Sequence, residues 1–387
     1  MSKPTLKITY LSGTRADFGL MQQSLQALHA DSNIMLEVLA TGQHLDPTYG
    51  NTIKDIAASG LTVVAMGSLK MVGKTGAEMA QAVATQIQQI TAHLTESRPD
   101  LLVLLGDRGE MVAAGLAAVF LGVPVAHFHG GDRSGTVDDQ LRQVITSLSH
   151  YHFPATPGAK SRLLRMGEIE THIHMLGAPG LDEIRGFNPE GDLHTRLGID
   201  PNKPLATVLF HPVVQDAELA SLQAQTLLEA LSEGFDEGTV VVLAPNSDAG
   251  SAQIAAYYQQ ARERLMGQGA SKLKFVWLTH LPRQSYLSLI AHSDLLVGNS
   301  SAGVIEAASL KTPVVNVGDR QNGRERNDSI FDCDITGPEI AKAIARALAY
   351  RGDFHNLYDQ GGCAARLPDI INTLNLSPAI LKKKLSF

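Results

Sequence analysis

The chain has 387 residues, of which 44% are hydrophobic and 18% are charged, and its formal net charge at pH 7 is -7. The length is more than one ordinary domain needs and the composition is that of a globular protein, so we expect two domains. The negative net charge disfavours nonspecific binding to nucleic acid, because the phosphate backbone is negative as well.

Cysteine content and apolar runs exclude further classes of protein. Cys333 and Cys363 are too few for a disulfide framework and do not form a Cys-x-x-Cys pair. No apolar run reaches the length that spans a membrane, and the first residues lead into a strand without the apolar core of a signal peptide. We therefore expect a cytoplasmic protein without a membrane partner or a nucleic-acid partner.

Short apolar runs alternate with amphipathic stretches through the first half of the chain. The runs predict buried strands, and the stretches between them predict helices with a period of 3.6 residues. The predicted strands are 7–11, 35–41, 61–66, 101–105, 123–128, 151–154 and 172–176. The predicted helices include 76–97, 110–121, 139–149 and 160–166. This alternation predicts a parallel sheet with right-handed crossovers.

A stretch rich in glycine and proline at 177–191 interrupts the alternation and predicts a crossing between domains. A second series follows, with strands at 205–210, 239–243, 275–278, 295–297 and 313–317 and a helix from residue 337 to about residue 350. We predict an α/β fold of two Rossmann-like, doubly wound domains that face each other across a central cleft. The predicted domains are 1–177 and 205–365, joined by the crossing 178–204, and a helical tail, 366–387, packs back on the N-terminal domain.

The turn after the first strand contains two candidate substrate contacts, Arg15 and Asp17. Gly13 permits a tight turn, and Arg15 can approach an anion at the N-terminus of the following helix. A plain turn with a solvated arginine is the alternative. The segment is not a G-x-G-x-x-G, so no dinucleotide fingerprint is present. His44, just past the second strand, is a further candidate to line the cleft.

Two acid-bearing segments, 105–110 and 127–139, follow predicted strands of the first domain. The carboxyl ends of parallel strands meet at one edge of a sheet, where open α/β proteins bind ligands. We expect Asp107 to be ionised by the neighbouring Arg108, which suits a general base or a hydrogen-bonding anchor. The alternative is a structural pair of Asp107 and Arg108 that caps the next helix.

The second of these segments holds His127 and His129 together with three acids, Asp132, Asp138 and Asp139. We expect one of Asp138 and Asp139 to cap the following helix. Crowded acids can have their pKa values driven apart, so that one donates a proton and another accepts it. A His-x-His pair on a strand places both rings on one face, but no acids at the spacing of a known metal motif accompany it, so we expect no metal.

Polar residues also follow strands of the second domain. His211 and His280 are expected at its ligand edge, with a structural histidine as the alternative for each. Asn246 and Asp248 lie in a polar loop, 244–251, that either contacts a ligand or simply turns.

The segment 298–306 places a strand end, small polar residues and a helix start in succession. Backbone N–H groups, the hydroxyls of Ser300 and Ser301 and the positive end of the helix dipole predict a cradle for a diphosphate. A serine that merely caps the helix is the alternative. We expect Glu306, one turn inside the helix, to accept hydrogen bonds from a ribose. Arg320 and two nearby arginines would neutralise the diphosphate or form a solvated loop.

These segments resemble the hydrolysing UDP-N-acetylglucosamine 2-epimerases, which open sialic-acid and related nonulosonic-acid pathways. The similarity lies in GTRADFG at 13–19, LGDRGE at 105–110, HFHGGDRSGTVDD at 127–139, FHP at 210–212, PNSDAGS at 245–251 and GNSSAGVIE at 298–306. Together they span nearly the whole chain. The non-hydrolysing enzymes tend to differ at three of these places, where this chain has GTRAD, HFHGG and NSSAG.

The resemblance implies a GT-B architecture with a UDP-sugar between the domains, no cofactor, and a homodimer. It implies that UDP leaves by elimination, giving a 2-acetamidoglucal that is hydrated to free N-acetylmannosamine. By position, Asp107 and Asp138 match catalytic acids of the family, and His211 matches an active-site histidine.

This chain departs from the family pattern at two places. His129 stands where some members carry a glutamate, so that either Asp132 or His129 itself would take over proton transfer. Arg142 is followed by Gln143 where many members have Arg-His. Both departures leave the division of roles among these residues open.

Four other activities stay open at this point. They are the same reaction on UDP-2,4-diacetamido-2,4,6-trideoxyglucose (UDP-N,N'-diacetylbacillosamine), a non-hydrolysing 2-epimerisation, a glycosyltransferase of similar architecture, and a non-catalytic UDP-sugar sensor. A glycosyltransferase would need an acceptor sugar to release UDP. A sensor would release nothing, and the number of acids expected in the cleft argues against it.

Overall fold

The computed structural model describes residues 5–47, 50–67, 75–135, 137–235, 237–246, 248–266 and 272–386. The chain divides into two compact units. The first comprises Met1–Arg133, Val137–Glu183 and Tyr358–Phe387, and the second comprises Ser134–Thr136 and Ile184–Leu357.

The first unit is built around a parallel sheet of six strands in the order β3-β2-β1-β4-β5-β6. The strands are β1 (Leu6–Ser12), β2 (Ile34–Ala40), β3 (Val63–Ala65), β4 (Leu101–Leu105), β5 (Val125–Phe128) and β6 (Tyr151–Phe153). The helices between them are α1 (Arg15–Ala30), α2 (Ile53–Ala58), α3 (Gly76–Ser97), α4 (Gly109–Leu121), α5 (Val137–Leu148) and α6 (Pro157–Arg165). The strand order reverses between β1 and β4, which makes this pair the topological switch point.

Both faces of this sheet are covered. Tyr10 and Leu11 point to opposite faces of β1, and both are fully buried. Tyr10 packs with Phe18 and Met21 of α1, whereas Leu11 packs in a separate cluster with Met111 of α4. Strands buried on both faces are continuous apolar runs, which is why the sequence 101–105 is composed only of leucine and valine.

The second unit repeats this plan in a sheet of order β12-β11-β10-β7-β8-β9. Its strands are β7 (Leu205–Leu209), β8 (Gly238–Leu243), β9 (Leu273–Leu278), β10 (Leu295–Gly298), β11 (Val314–Val317) and β12 (Ile330–Cys333). Its helices are α7 (Leu193–Leu197), α8 (Ala220–Gly234), α9 (Ser251–Met266), α10 (Arg283–His292), α11 (Ser301–Ile305) and α12 (Gly337–Leu348). Here the switch point lies between β7 and β10. These two parallel, helix-covered sheets confirm the predicted fold class.

The segment that ends the chain belongs to the first unit. It contains α13 (Leu367–Thr373), whose Leu367 and Ile371 enter the core beside α1. Further along, Nζ of Lys383 donates to the carbonyl oxygens of Thr146 and Ser149 at the end of α5, at 3.0 and 2.7 Å. Among the described residues, short 3₁₀ helices lie at Gly42–Leu45, Glu170–His172, Pro179–Leu181, Val214–Leu219, Ala307–Leu310 and Pro378–Leu381.

Two edge elements differ from the prediction. The predicted strand at 172–176 is wrong, because β6 has only three residues and offers Ile173 a single isolated bridge to His152. Strand β12 was not predicted. Its four residues lie at the sheet edge and are half-buried or exposed, so they lack the continuous apolar run of a central strand.

Candidate active site

Polar side chains collect at the switch point of the first unit, where β1, β4 and the neighbouring β5 end. The turn from β1 into α1 is the first part of this group. Thr14 caps α1, and Asp17 closes the capping box by accepting from the backbone N–H of Thr14 at 2.8 Å. The Asp17 carboxylate also accepts from the hydroxyl of Ser12 and from the N–H of Gly13 at 3.0 Å. Burial raises the pKa of Asp17 to about 6, and the charge of Glu110 adds to this.

Glu110 and His44 complete this corner. Glu110 is almost fully buried, and its Oε1 accepts from Nε of Arg108 at 2.8 Å. A Cβ on Gly13 would lie 2.2 Å from Oε1 of Glu110, so only glycine lets this carboxylate approach the turn. His44 lies with Nε2 2.9 Å from the hydroxyl of Ser12, and burial lowers its pKa to about 4. Glu110 could not be singled out from the sequence, because an acid in the first turn of a helix is common.

Asp107 pairs with Arg142 of α5 and not with its neighbour Arg108, so the predicted pair of adjacent residues is wrong. Arg108 instead points to Glu110, two residues further on. Asp107 does not cap α4 either, since Arg108 occupies the N-cap position. Arg142 lies 35 residues from Asp107 in sequence and is brought to it by the pairing of β4 with β5.

Arg142 forms hydrogen bonds to both acid-bearing segments, 105–110 and 127–139. Its side chain is buried, and its Nη1 donates to Oδ1 of Asp139 at 2.9 Å and to the carbonyl oxygen of Asp132 at 3.1 Å. Its Nη2 donates to Asp107. One guanidinium therefore binds the carboxylates of Asp107 and Asp139 and the backbone of Asp132. From the sequence, Arg142 was noted only as the residue before Gln143, where many family members have Arg-His.

Asp138 and Asp139 lie inside the first turn of α5, which begins at Val137. The prediction that one of them caps the helix is therefore wrong. Negative charge in the first turn is still favourable to the helix dipole. Asp139 is committed to Arg142, whereas Asp138 lies on the same turn and is half-buried.

His127 and His129 do not share a face, because β5 ends at Phe128 and His129 has a positive φ of 63°. His127 is buried, and its Nε2 lies 2.7 Å from the carbonyl oxygen of Gly106, so Nε2 carries the proton. Its Nδ1 lies 3.2 Å from the hydroxyl of Thr146, which then donates to it. Burial lowers the pKa of His127 to about 3. His127 is thus neutral, and its hydrogen bonds connect the end of β4 to α5.

The other histidine of the segment, His129, places Nδ1 2.9 Å from Oδ2 of Asp132. Among the residues that the structure describes, no three His, Cys, Asp or Glu side chains are arranged to hold a metal ion.

At the switch point of the second unit, Asn299 joins the ends of β7 and β10. Its side chain accepts from the backbone N–H of His211 at 2.7 Å and donates to the carbonyl oxygen of the same residue at 2.8 Å. Nδ1 of His211 accepts from the N–H of Asn246 at 3.1 Å, so the ring proton lies on Nε2. Burial, together with the charge of Arg320, lowers the pKa of His211 to about 3. His211 is therefore a neutral donor through Nε2.

Three further predicted residues surround Asn299. Nη1 of Arg320 donates to the carbonyl oxygen of Asn299 at 3.2 Å, and its Nη2 lies 4.0 Å from Oδ2 of Asp248. Asp248 also accepts from the side chain of Asn246. His280 is not part of this group, because it is exposed and follows the edge strand β9, two strands away from β7.

Ser300 is the N-cap of α11, and its hydroxyl accepts from the N–H of Ala302 at 3.4 Å. Ser301 begins this five-residue helix. Gly298, just before them, has φ 141°, and a Cβ there would lie 2.1 Å from the carbonyl oxygen of Leu209. Glu306 follows the end of α11 and so does not lie inside the helix as predicted. Its carboxylate accepts from Nη2 of Arg283 at 2.6 Å.

The chain is similar to known proteins that are described as 2-epimerases of nucleotide sugars. The family model described as UDP-N-acetylglucosamine 2-epimerase matches residues 26–372. A UDP-N,N'-diacetylbacillosamine 2-epimerase (hydrolyzing) of Legionella pneumophila is 39% identical over 97% of this chain and 98% of its own length. A UDP-N-acetylglucosamine 2-epimerase of Neisseria meningitidis is 30% identical over 95% of each chain.

A crystal structure of UDP-GlcNAc 2-epimerase from Neisseria meningitidis, bound to UDP-GlcNAc, has the same fold. It superposes with a TM-score of 0.79 at 16% identity and covers 95% of this chain and 100% of that chain.

Within the described part of the chain, every helix is too short or too polar to cross a bilayer.

The buried, neutral state of His127 predicts a loss of stability in acid. Its pKa is about 3 in the folded protein and about 6.5 in an unfolded chain. The unfolded state therefore binds an extra proton between these values, and stability falls by up to about 1.4 kcal/mol per pH unit as the pH drops below about 6.5. Asp17, whose folded pKa is raised, acts in the opposite direction, so only a comparison between variants isolates the histidine.

We expect His127→Gln, which keeps one donor and one acceptor, to lose less stability than the wild type between pH 7.5 and pH 5. Unfolding midpoints at the two pH values measure this difference. The exposed His355→Gln is the matched control and should follow the wild type. Parallel pH dependence of His127→Gln and the wild type would show that His127 is not held neutral by burial.

Proposed function

The chain belongs to the UDP-N-acetylglucosamine 2-epimerase family, and from this premise we propose that it is a hydrolysing 2-epimerase. Such an enzyme acts on a UDP-sugar, releases UDP and gives the free sugar with inverted C2. The observation that carries the proposal is the group of carboxylates held by Arg142 at the switch point of the first unit. Elimination of UDP needs a base near C2, and carboxylates and imidazoles are the groups that supply it.

The substrate has two candidates. The Legionella relative, at 39% identity, is named for UDP-N,N'-diacetylbacillosamine, whereas the Neisseria relative, at 30%, is named for UDP-N-acetylglucosamine. The greater identity favours the diacetamido sugar over UDP-N-acetylglucosamine, the substrate predicted from the sequence. In either case UDP leaves from C1, and hydration of the resulting glycal gives the free 2-epimer. No hydride carrier is needed, because the C2 hydrogen leaves as a proton.

We assign the chemistry to the first unit and the nucleotide to the second. Asp107 and Asp138 are the proposed carboxylates for proton transfer. The neutral Nε2–H of His211 and the guanidinium of Arg320 are proposed to donate to the diphosphate, since donors aimed at developing charge stabilise a departing group. Further proposed substrate contacts are Arg15, Asp17, Arg108, Asn246, Asp248, Ser300, Ser301 and Glu306.

The product distinguishes the proposed function from its alternatives. We expect incubation with each UDP-sugar in deuterated water to give UDP and a free sugar that carries deuterium at C2, observed by proton NMR. A UDP-linked epimer as the only product would indicate the non-hydrolysing reaction. Release of UDP only when an acceptor sugar is added would indicate a glycosyltransferase, and binding without any release would indicate a sensor.

We also propose that the protein is a homodimer that covers the apolar end of α4 with a second copy. After Glu110, α4 contains only apolar residues and glycine, and a helix that is apolar on all faces is expected to be buried. Yet Val119, Phe120 and Leu121 at its end are exposed, Phe120 by 88%. Chains of one kind most often pair through the same surface on each copy.

Sedimentation at micromolar concentration tests this surface. We expect the wild type to have the mass of a dimer and Phe120→Glu to have the mass of a monomer, because a charge would have to be buried in the interface. Leu222→Glu, at an exposed leucine of α8, is the control and should remain dimeric. A monomeric wild type would refute the dimer, and a dimeric Phe120→Glu would place the interface elsewhere.

A further inference from the structure

We propose that His129 and Asp132 form a catalytic dyad, in which Nε2 of His129 accepts the proton from C2 of the sugar and Asp132 positions the ring. This inference rests on the proposed function. It resolves the alternative left open by the sequence, in which either residue could move the proton.

The contact between the two side chains sets the tautomer of the histidine. Nδ1 of His129 lies 2.9 Å from Oδ2 of Asp132, and both side chains are largely buried. An ionised carboxylate only accepts hydrogen bonds, so the ring proton lies on Nδ1 and Nε2 carries a lone pair. A buried carboxylate at Nδ1 also stabilises the imidazolium that forms when Nε2 takes up a proton.

The second nitrogen of His129 is available for chemistry. Among the residues that the structure describes, none forms a hydrogen bond to Nε2 of His129, and 11% of the side chain remains exposed. The neighbouring histidines are different. Both ring nitrogens of His127 are engaged by Gly106 and Thr146, and both of His44 are engaged by Ser12 and Thr52. His129 is thus the histidine of this edge with a basic nitrogen left for a ligand.

The backbone holds the dyad in place at some cost. His129 has φ 63°, a left-handed conformation that is strained for a residue with a Cβ. Its N–H donates to the carbonyl oxygen of Phe153 at 3.1 Å, and its own carbonyl oxygen accepts from the N–H of Asp132 at 3.4 Å. Strained residues of this kind persist where the surroundings fix them, and they concentrate at functional sites.

Arg142 connects the dyad to the proposed catalytic acids. Its Nη1 donates to the carbonyl oxygen of Asp132 at 3.1 Å, while its Nη2 donates to the Asp107 carboxylate. The loop of the dyad and the acid of the neighbouring strand end are therefore fixed by the same side chain. This arrangement places an imidazole base and a carboxylate at one end of the sheet in the first unit.

In the proposed step, the C2–H bond breaks and its proton moves to Nε2 of His129. The electron pair of that bond forms the C1–C2 double bond, and the C1–O pair leaves with UDP. Hydration then adds the OH of water to C1 and a proton to C2. An acid other than His129 gives the proton to C2, and the proton that the water loses restores that acid. The imidazolium of His129 returns its proton to solvent before the next turnover, so C2 acquires solvent hydrogen.

The pH profile of kcat/KM between pH 5 and 9 tests the dyad on the full chain. A histidine base predicts that the wild-type profile has an acid limb, in which activity falls as the base becomes protonated. His129→Glu should keep activity but move this acid limb to lower pH, since a carboxylate is a weaker base than an imidazole. His129→Gln should lower kcat at least 100-fold with little change in KM. His355→Gln, at an exposed histidine, should keep the wild-type profile.

Asp132→Asn tests the positioning role. It should lower kcat while KM is retained, and Asp132→Glu should restore part of the loss. A wild-type kcat in His129→Gln, or an unmoved acid limb in His129→Glu, would overturn the dyad while leaving the hydrolysing activity of the wild type in place.

A nitrogen-15 NMR spectrum of the histidine rings tests the dyad even if the chain proves inactive on both sugars. At pH 7.5 we expect the signal that His129→Gln removes to belong to an Nδ1–H tautomer, whereas His127 and His211 should be Nε2–H tautomers. An Nε2–H tautomer for His129 would overturn the inference. Lack of UDP release by the wild type would instead refute the proposed function.

Discussion

The buried guanidinium of Arg142 is the interaction on which the candidate site of the first unit depends. It binds two carboxylates, Asp107 and Asp139, and the backbone of Asp132. Carboxylates repel one another, and burying them costs free energy unless a cation and hydrogen bonds compensate. A single planar side chain with five donors can satisfy several acceptors at once, which a lysine cannot do with the same geometry. Arg142 therefore allows acids from separate segments to share one edge of the sheet.

The titratable side chains around Arg142 differ in their pKa values. His127 and His44 are held neutral by burial, and they tie strand ends to neighbouring elements. Asp17, by contrast, has a pKa raised to about 6 because it is buried near Glu110. An enzyme that removes a proton from a sugar carbon and later returns one needs groups with different proton affinities. The pKa of each of these side chains is therefore set by how deeply it is buried and by which groups surround it.

Much of the fold could be predicted from the sequence because central parallel strands are continuous apolar runs. The run at 101–105 coincides with β4, and the helix predicted at 76–97 coincides with α3. Edge elements could not be predicted in this way. Strand β12 is half-buried, and the segment 172–176 forms only one bridge, so local composition does not report their pairing.

In the candidate site, too, local features could be predicted from the sequence, whereas contacts between residues far apart in the sequence could not. The sequence indicated which segments follow strand ends, because strand ends are local features. It did not indicate that Asp107 pairs with Arg142, since that contact depends on how α5 packs beside β4 and β5. Glu110 and Asn299 were missed as well, because an acid in a first helical turn and an asparagine in a turn are common residues there. Pairings across 35 residues require the packed structure.

The central claim is that two acids at the carboxyl edge of the first sheet, Asp107, which Arg142 holds, and Asp138, in the first turn of α5, take part in moving the C2 proton of the sugar. Deuterium incorporation at C2 during turnover in deuterated water measures this most directly. We predict that Asp107→Asn and Asp138→Asn remain folded and lose this exchange at least 100-fold, whereas Asp369→Asn, at an exposed acid of α13, exchanges like the wild type. Exchange at the wild-type rate in both Asp107→Asn and Asp138→Asn would contradict the account.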